Sequence, residues 1–255
     1  MFIKICGITN IKDARTACYL GASAVGFVFA KSKRQITARQ TAAIVKVIPH
    51  HIEIVGVFVD EPLENLKTII HKSRITAVQL HGQETNQYIL ELADIISKSD
   101  LNTDQDIKII KTLKVGGQVI HGSQTTDHSN QSEQGLDPSH LKSGYDARTS
   151  EKSNPFELIL NKWRQKKLPI WKYLVEPHVK GADGGSGKGF DWQTIKNLNL
   201  SDIIVAGGIK PANIHSLLDQ IQPFGIDLSS GVEKSPGVKD ELLMKVLFEN
   251  IPSTG

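Results

Sequence analysis

Short apolar runs recur along the chain, and polar or amphipathic segments separate them. Eight of these runs are rich in Val and Ile and are continuous rather than strictly alternating, which is typical of strands that are covered on both faces. They are IKIC (3–6), AVGFVF (24–29), EIVGVFV (53–59), AVQL (77–80), IKII (107–110), KYLVE (172–176), DIIVA (202–206) and GIDLS (225–229). The pattern therefore predicts eight buried strands.

Segments with helical spacing lie between most of these runs. Asn10 and Thr37 are suited to cap the first two helices, because their side chains can accept a hydrogen bond from the first turn. Pro62 falls in the first turn of a third helix and Pro211 opens a later one, positions where the missing N–H is harmless. The first three segments cover residues 10–20, 37–48 and 61–72.

The alternation of strand and helix predicts a parallel sheet with right-handed crossovers. Eight such units in 255 residues favour a closed (β/α)₈ TIM barrel, an α/β fold that forms a single domain over residues 1–255. The alternative is an open, doubly wound sheet.

One polar stretch, residues 116–153, breaks the rhythm after the fifth run. It holds one aromatic residue and few large aliphatic ones, so it cannot bury enough apolar area to offset the entropy of ordering it. We expect an insertion, in the loop between the fifth strand and the helix that follows it, that is largely disordered and that emerges at the C-terminal end of the barrel.

Composition narrows the functional classes. The net charge is only +3, without a long basic block, so neither nucleic acid nor a membrane surface is an expected partner. No apolar run approaches the roughly 18 residues of a membrane span, and no signal peptide is apparent. Two cysteines twelve residues apart and nine histidines without a paired motif indicate no disulfide framework and no metal site. We expect a cytoplasmic protein.

Barrels of this class carry function at the C-terminal ends of their strands. The seventh strand is followed by Gly207 and Gly208, and the eighth by Ser229, Ser230 and Gly231. Loops at these two places commonly hold a phosphate with backbone N–H groups, although tight turns alone would explain the residues. The segment GADGGSGKGFDW (181–192) fails the P-loop pattern and instead suggests a flexible loop over the mouth.

Two groups at strand ends could move protons. Cys6 ends the first strand and Glu176 ends the sixth, so a barrel would direct both toward one mouth. We expect an accessible thiol whose thiolate is favoured by nearby cations, and a shielded carboxyl that keeps its proton longer than in water. Such an acid and base suit a proton-transfer isomerisation. Cys18, on the apolar side of the first helix, is expected to be core.

Two further residues are candidate ligand contacts. Arg34 follows the second strand in FVFAKSKRQIT, and its planar guanidinium suits a carboxylate, although a solvated basic loop is the alternative. His81 ends the fourth strand in QLHG and either contacts a ligand or packs as a neutral imidazole.

Taken together, several blocks resemble the phosphoribosylanthranilate isomerase family of tryptophan biosynthesis. The resemblance covers almost the whole chain except the polar stretch. The blocks are KICGIT (4–9), AVGFVF…SKR (24–34), VGVFV (55–59), VQLHG (78–82), GGSGKGFDW (184–192), VAGGIKPANI (205–214) and IDLSSGVEKSPGVKD (226–240).

The resemblance implies a cofactor-free and metal-free barrel that binds a phosphoribosyl small molecule, as a monomer or homodimer. It implies an Amadori rearrangement with Cys6 as general base and the sixth-strand carboxylate, Glu176, as general acid. Arg34 would bind the anthranilate carboxylate. The remaining substrate-binding residues implied are Asp227 and the phosphate-binding Gly207, Gly208, Ser230 and Gly231. His81 is the further candidate substrate contact, from its position at the end of the fourth strand.

The chain departs from the family pattern at one catalytic position. The family acid is usually an aspartate in an LLD-like run, whereas this chain has LVE with Glu176. One extra methylene displaces the proton donor, which catalysis tolerates poorly, so Asp183 is a second candidate acid. Two rival functions remain open: indole-glycerol-phosphate synthase, another phosphate-binding barrel, and a barrel that binds phosphosugars without turnover.

Overall fold

A computed structural model describes residues 1–98, 106–116, 154–178 and 192–252. Its central feature is a closed barrel of eight parallel strands, β1 to β8, each paired with the next and β8 paired with β1. This confirms the barrel and excludes the open sheet. The strands are β1 Phe2–Cys6, β2 Ala24–Val28, β3 Glu53–Phe58, β4 Ala77–Leu80, β5 Lys108–Gly116, β6 Lys172–His178, β7 Ile203–Ala206 and β8 Gly225–Leu228.

Seven α-helices lie in the described ranges and pack around the barrel. They are α1 Ile11–Tyr19, α2 Ala38–Val45, α3 Leu63–Ser73, α4 Asn86–Ser97, α5 Pro155–Gln165, α6 Ile214–Gln220 and α7 Glu241–Glu249. Between β6 and β7 those ranges contain a short 3-10 turn, Trp192–Ile195, rather than an α-helix. A second 3-10 turn, Ser230–Val232, and a small antiparallel hairpin, β9 Glu233–Ser235 with β10 Val238–Lys239, follow β8.

The predicted helix caps are observed at the first two helices. The Asn10 side chain accepts a hydrogen bond from Asp13 N, and Thr37 forms a reciprocal capping box with Gln40. Pro62 occupies the cap position of α3 rather than its first turn. Pro211 precedes α6, whose cap position is Asn213, so the helix begins later than the sequence predicts.

The N-terminal end of the barrel is filled with apolar side chains. Small and aliphatic residues from alternate positions pack inside it, and three aromatic rings, Phe2, Trp171 and Phe224, lie against that cluster with ring centroids 5.4–5.7 Å apart. The buried residues of this inner cluster are Ala24, Val55, Ala77, Ile110, Leu174, Ile204 and Ala206. The polar side chains described below therefore belong to the opposite, C-terminal end.

Two predicted loops lie largely outside the described residues. β5 ends at Gly116, so the polar stretch 116–153 does follow the fifth strand, but residues 117–153 are not described. Residues 179–191, with most of the glycine-rich segment and Asp183, are not described either. No helix in the described ranges is long and apolar enough to span a bilayer.

Candidate active site

Cys6 ends β1 at the mouth of the barrel, but it is buried rather than accessible. Its side chain shares one face of the strand with Lys4, because successive strand residues alternate between faces. Cys6 is 7% exposed, whereas Cys18 is only half-buried. The expectation that Cys6 is an accessible thiol is therefore wrong, whereas Cys18 is partly buried and packs against the hydrophobic core, as expected.

The electrostatic surroundings of Cys6 act in opposite directions. Burial raises the pKa of the thiol, Lys4 and Lys239 lower it, and Asp227 raises it, with a net increase. The predicted cations are present, but they do not overcome the loss of hydration. In the free protein the thiol is consequently more strongly protonated than an exposed cysteine.

An ion pair lies directly below the thiol, inside the barrel. Lys4 Nζ is 3.0 Å from Asp227 Oδ1, and the two residues are register partners on β1 and β8. The Lys4 side chain is fully buried and that of Asp227 is 10% exposed. Burial alone would lower the pKa of Lys4, but Asp227 and Cys6 raise it, so the ammonium stays charged.

Arg34 reaches the same mouth from the loop after β2, where it is held by a carboxylate. Its Nε and Nη2 donate to the two oxygens of Glu233 at 2.8 and 2.6 Å, a bidentate geometry. Lys239 Nζ donates to the same carboxylate at 2.9 Å. The Arg34 stem crosses Gly7, where an added methyl group would meet its Cδ at 2.6 Å. Arg34 thus lies beside the thiol rather than in a solvated loop.

The cluster of Arg34, Lys239 and Glu233 carries one excess positive charge. Glu233 is 4% exposed and Lys239 fully buried in their side chains, while that of Arg34 is 26% exposed. Burial would raise the pKa of Glu233, but hydrogen bonds from Arg34 and Lys239 lower it below its usual value. A bound anion is the natural complement to this excess charge. Arg34 Nη1 has no hydrogen-bond partner within the described ranges.

Glu176, at the end of β6, faces His81, at the end of β4. His81 Nε2 is 3.1 Å from Glu176 Oε2, and the other ring nitrogen is 3.2 Å from both Gln79 Nε2 and Thr112 Oγ1. With Gln79 Nε2 donating to Nδ1, the second ring nitrogen, Nε2, is the one that donates to Glu176. The His81 side chain is 25% exposed, so it borders the open site rather than packing in the core.

The surroundings of Glu176 favour its ionised form. Burial would raise its pKa, but the hydrogen bond and the proximity of His81, with Lys114 and Lys4 further away, lower it overall. The expectation of a carboxyl that keeps its proton is therefore wrong for the free protein. Lys4 lowers the pKa of both Cys6 and Glu176, so the two candidate proton carriers are influenced by the same ammonium.

The loop that carries His81 is fixed by a second buried ion pair. Lys111 Nζ on β5 is 2.5 Å from Glu84 Oε2 and donates to Gly82 O at 2.8 Å. The other Glu84 oxygen accepts from Gly82 N and Asp60 N at 3.0 and 3.2 Å. This network connects the C-terminal ends of β3, β4 and β5 and fixes the loop from which the His81 imidazole projects.

The candidate phosphate loops meet on one side of the mouth. Gly207 and Gly208 follow β7 with φ of 87° and 69°, values that glycine adopts without strain. Gly231 lies so close to Ile209 O that any side chain would collide with it. Gly208 and Ser230 are exposed and can present backbone N–H groups to a ligand. The two loops therefore form one surface.

Comparison with known proteins identifies the family. The model of the family described as N-(5'-phosphoribosyl)anthranilate (PRA) isomerase matches residues 3–135 and 157–250. The chain belongs to this family. A PRA isomerase from Desulforudis audaxviator is 32% identical over 239 residues, which cover 93% of this chain and 91% of the relative. One from Oceanobacillus iheyensis is 32% identical over 254 residues, with 98% and 97% coverage.

Solved PRA isomerases have the same fold as this chain. The crystal structure from Thermotoga maritima has a TM-score of 0.70 and 29% identity, and the match covers 98% of both chains. A PRA isomerase in complex with reduced 1-(o-carboxyphenylamino)-1-deoxyribulose 5-phosphate has a TM-score of 0.67 at 29% identity. The matched family ranges omit residues 136–156, which overlap the second part of the predicted insertion.

Three charged residues of the mouth, Lys4, Glu233 and Lys239, are not predicted as site residues from the sequence. Lys4 lies two residues before Cys6 in a strand, and the two-residue period of strands places both on one face. That spacing is a usable signal. Glu233 and Lys239 lie on the hairpin after β8, and no local pattern indicates that they converge on Arg34.

Proposed function

We propose that this chain isomerises N-(5'-phosphoribosyl)anthranilate to 1-(2-carboxyphenylamino)-1-deoxyribulose 5-phosphate in tryptophan biosynthesis, with Cys6 as base and Glu176 as acid. The observation that supports the assignment is that Cys6 and Glu176 lie toward the C-terminal ends of β1 and β6 and so at the same end of one parallel barrel. The complex of a related isomerase with a reduced product supports a site of this chemistry.

The proposed reaction needs one proton donor and one proton acceptor. Glu176 gives a proton to the furanose ring oxygen as the bond from that oxygen to C1 breaks, and the anilino nitrogen supplies the electron pair that forms the Schiff base. The Cys6 thiolate then removes the proton from C2, which gives an enolamine. Tautomerisation of the enolamine to the ketone oxidises C2 and reduces C1 within one molecule, so the conversion requires no external oxidant.

The charges of the mouth suggest how the substrate is oriented. The anthranilate carboxylate would bind the cationic cluster of Arg34 and Lys239, where Arg34 Nη1 can donate to it. The phosphate would bind the joined loops through Gly207, Gly208, Ser230 and Gly231, and His81 borders the ring oxygen beside Glu176. Asp227, whose Oδ1 lies 3.0 Å from Lys4 Nζ, would accept a hydrogen bond from a sugar hydroxyl.

The test is complementation of a tryptophan auxotroph that lacks this isomerase, together with product formation by the purified chain. Growth with the wild-type gene, and none with Cys6→Ser, is the expected result. Rescue only of a strain that lacks indole-glycerol-phosphate synthase would favour that rival function. Tight binding of the reduced product by a chain that rescues neither strain would indicate binding without turnover.

The proposal extends to location and assembly. A biosynthetic enzyme of this pathway is expected in the cytoplasm, as a monomer or homodimer, and one solved relative from Thermotoga maritima is described as dimeric. Light scattering during size-exclusion chromatography measures the assembly directly.

A further inference from the structure

A buried charged pair lies in the barrel interior, where well-packed apolar side chains are often at least as stable. Lys4 and Asp227 project into the interior, and the cluster below them consists of Ala, Val, Ile and Leu side chains. Removing two charges from water costs several kcal/mol per ion, and their attraction often fails to offset that cost. The pair is therefore poorly explained as a stabilising contact.

Asp227 does not give the Lys4 ammonium a well-aligned hydrogen-bond acceptor. Although the two atoms are 3.0 Å apart, neither Lys4 Nζ nor Asp227 Oδ1 has a hydrogen-bond partner of good geometry among the described residues. A fully buried ammonium without an aligned acceptor is costly. An additional acceptor near Nζ would remove that cost.

The sulfur of Cys6 lies next to this ammonium because β2 has a glycine at the facing position. Cys6 pairs with Gly26, and a methyl group built on Gly26 would meet Cys6 Sγ at 2.8 Å and Lys4 Cε at 3.1 Å. The same small space thus adjoins the sulfur and the end of the lysine chain. Lys4 accordingly acts to lower the pKa of the Cys6 thiol.

We propose that Lys4 is a positioning residue for the Cys6 base: its buried ammonium, held by Asp227, is the fixed counter-charge and hydrogen-bond donor for the thiolate. The catalytic role of the thiolate rests on the proposed function, whereas the ionisation of Cys6 can be measured without substrate. When the thiolate forms, its sulfur accepts a hydrogen bond from Lys4 Nζ. The free-energy cost of a buried ammonium without an aligned acceptor is therefore absent in the active form.

Other charged groups also face the thiol, and their effects are known in sign. Lys239 from β10 lowers the pKa of Cys6, while Asp227 from β8 raises it. Arg34 is close enough to interact electrostatically with Cys6, although its charge is largely offset by Glu233. Among these groups Lys4 has the strongest influence that favours the thiolate.

The experiment follows thiolate absorbance near 240 nm against pH in a Cys18→Ser background, so that Cys6 is the only thiol. Lys4→Met should raise the ionisation midpoint by about one pH unit or more, which is about tenfold less thiolate at a given pH below it. Lys111→Met is the matched control, since it removes an equally buried lysine that is paired with Glu84 away from the thiol. Its midpoint for Cys6 should equal that of the parent.

A double variant, Lys4→Met with Asp227→Asn, keeps the test valid if the single variant does not fold, because it leaves no buried lone carboxylate. Its midpoint should lie above the parent and below Lys4→Met, since Asp227 itself opposes the thiolate. Equal midpoints in the parent and in whichever Lys4 variant folds would overturn the inference. Retained isomerase activity in Cys6→Ser would instead overturn the base assignment, while the titration result for Lys4 would be unaffected.

Discussion

His81 Nε2 lies 3.1 Å from Glu176 Oε2, and this contact favours the ionised form of the carboxyl in the free protein. It lowers the pKa of Glu176, while burial raises that of Cys6. The proposed chemistry needs the opposite forms, a protonated Glu176 and a Cys6 thiolate. The active form is therefore a minor tautomer whose population is constant between the two pKa values.

This arrangement predicts a broad plateau in the pH dependence of kcat/KM, with an acid limb below the ordinary carboxyl pKa of 4.5 and an alkaline limb above the ordinary thiol pKa of 9.0. Replacing His81 by Ala removes the hydrogen bond that favours the carboxylate, so the acid limb should move to higher pH. Rate measurements from pH 4 to 10 check both statements. An acid limb that stays in place in His81→Ala would show that another group controls it.

The strands and the barrel could be predicted because continuous Val- and Ile-rich runs are typical of strands buried on both faces. The run AVQL, for example, coincides with β4 residue for residue. The site could be predicted only in part. The positions of Cys6 and Arg34 follow from strand order, but their surroundings depend on residues distant in sequence: Glu233 lies 199 residues after Arg34. The pKa shifts predicted for Cys6 and Glu176 are wrong in direction for the same reason. The burial of Cys6 and the contact between Glu176 and His81 arise only in the folded barrel.

The length of the Glu176 side chain gives a second prediction. Glu176→Asp withdraws the carboxyl by about 1.5 Å, one carbon–carbon bond, and breaks the contact with His81. We expect kcat to fall about tenfold or more, because a small misplacement of an acid is costly. Glu176→Gln, which cannot donate an acidic proton, should lose about 100-fold or more.

Asp183→Asn is the control for this series, since Asp183 is the second candidate acid and lies outside the described residues. Steady-state rates of all three variants, with folding checked by circular dichroism, separate the two carboxyls. Full activity in Glu176→Gln combined with a large loss in Asp183→Asn would transfer the acid role to Asp183.

Glu233 provides a third prediction, because it holds the guanidinium that would bind the substrate carboxylate. In Glu233→Gln one of the two charge-assisted bonds to Arg34 is lost, and Lys239 loses the carboxylate charge and keeps Ser229 O as an acceptor. We expect KM to rise several-fold with a smaller change in kcat, and the free energy of unfolding to fall by about 2 kcal/mol, the range of a hydrogen bond to a charged group.

The stability effect of Glu233 should depend on pH. Its folded-state pKa lies below its ordinary value of 4.5, so its contribution is complete above that pH and is lost as the pH falls through the lower folded-state value. Urea unfolding at pH 7 and at pH 3 should therefore show a difference between wild type and Glu233→Gln that shrinks at the lower pH. Lys12, in an exposed ion pair with Glu241, offers the control Lys12→Met, which should change stability little at either pH.

The fourth prediction concerns the polar stretch 116–153, of which residues 117–153 lie outside the described ones. Its composition offers little apolar area to bury, and the family model leaves residues 136–156 unmatched. Deleting residues 118–152 should therefore change the melting temperature by no more than about 2 °C, since loop length alone has a small entropic effect on stability. Differential scanning calorimetry measures this, and a large decrease would show that the stretch packs against the barrel.

Because the stretch joins β5 to α5 at the same end as Glu176, kcat and KM of the deletion variant test separately whether it contributes to catalysis.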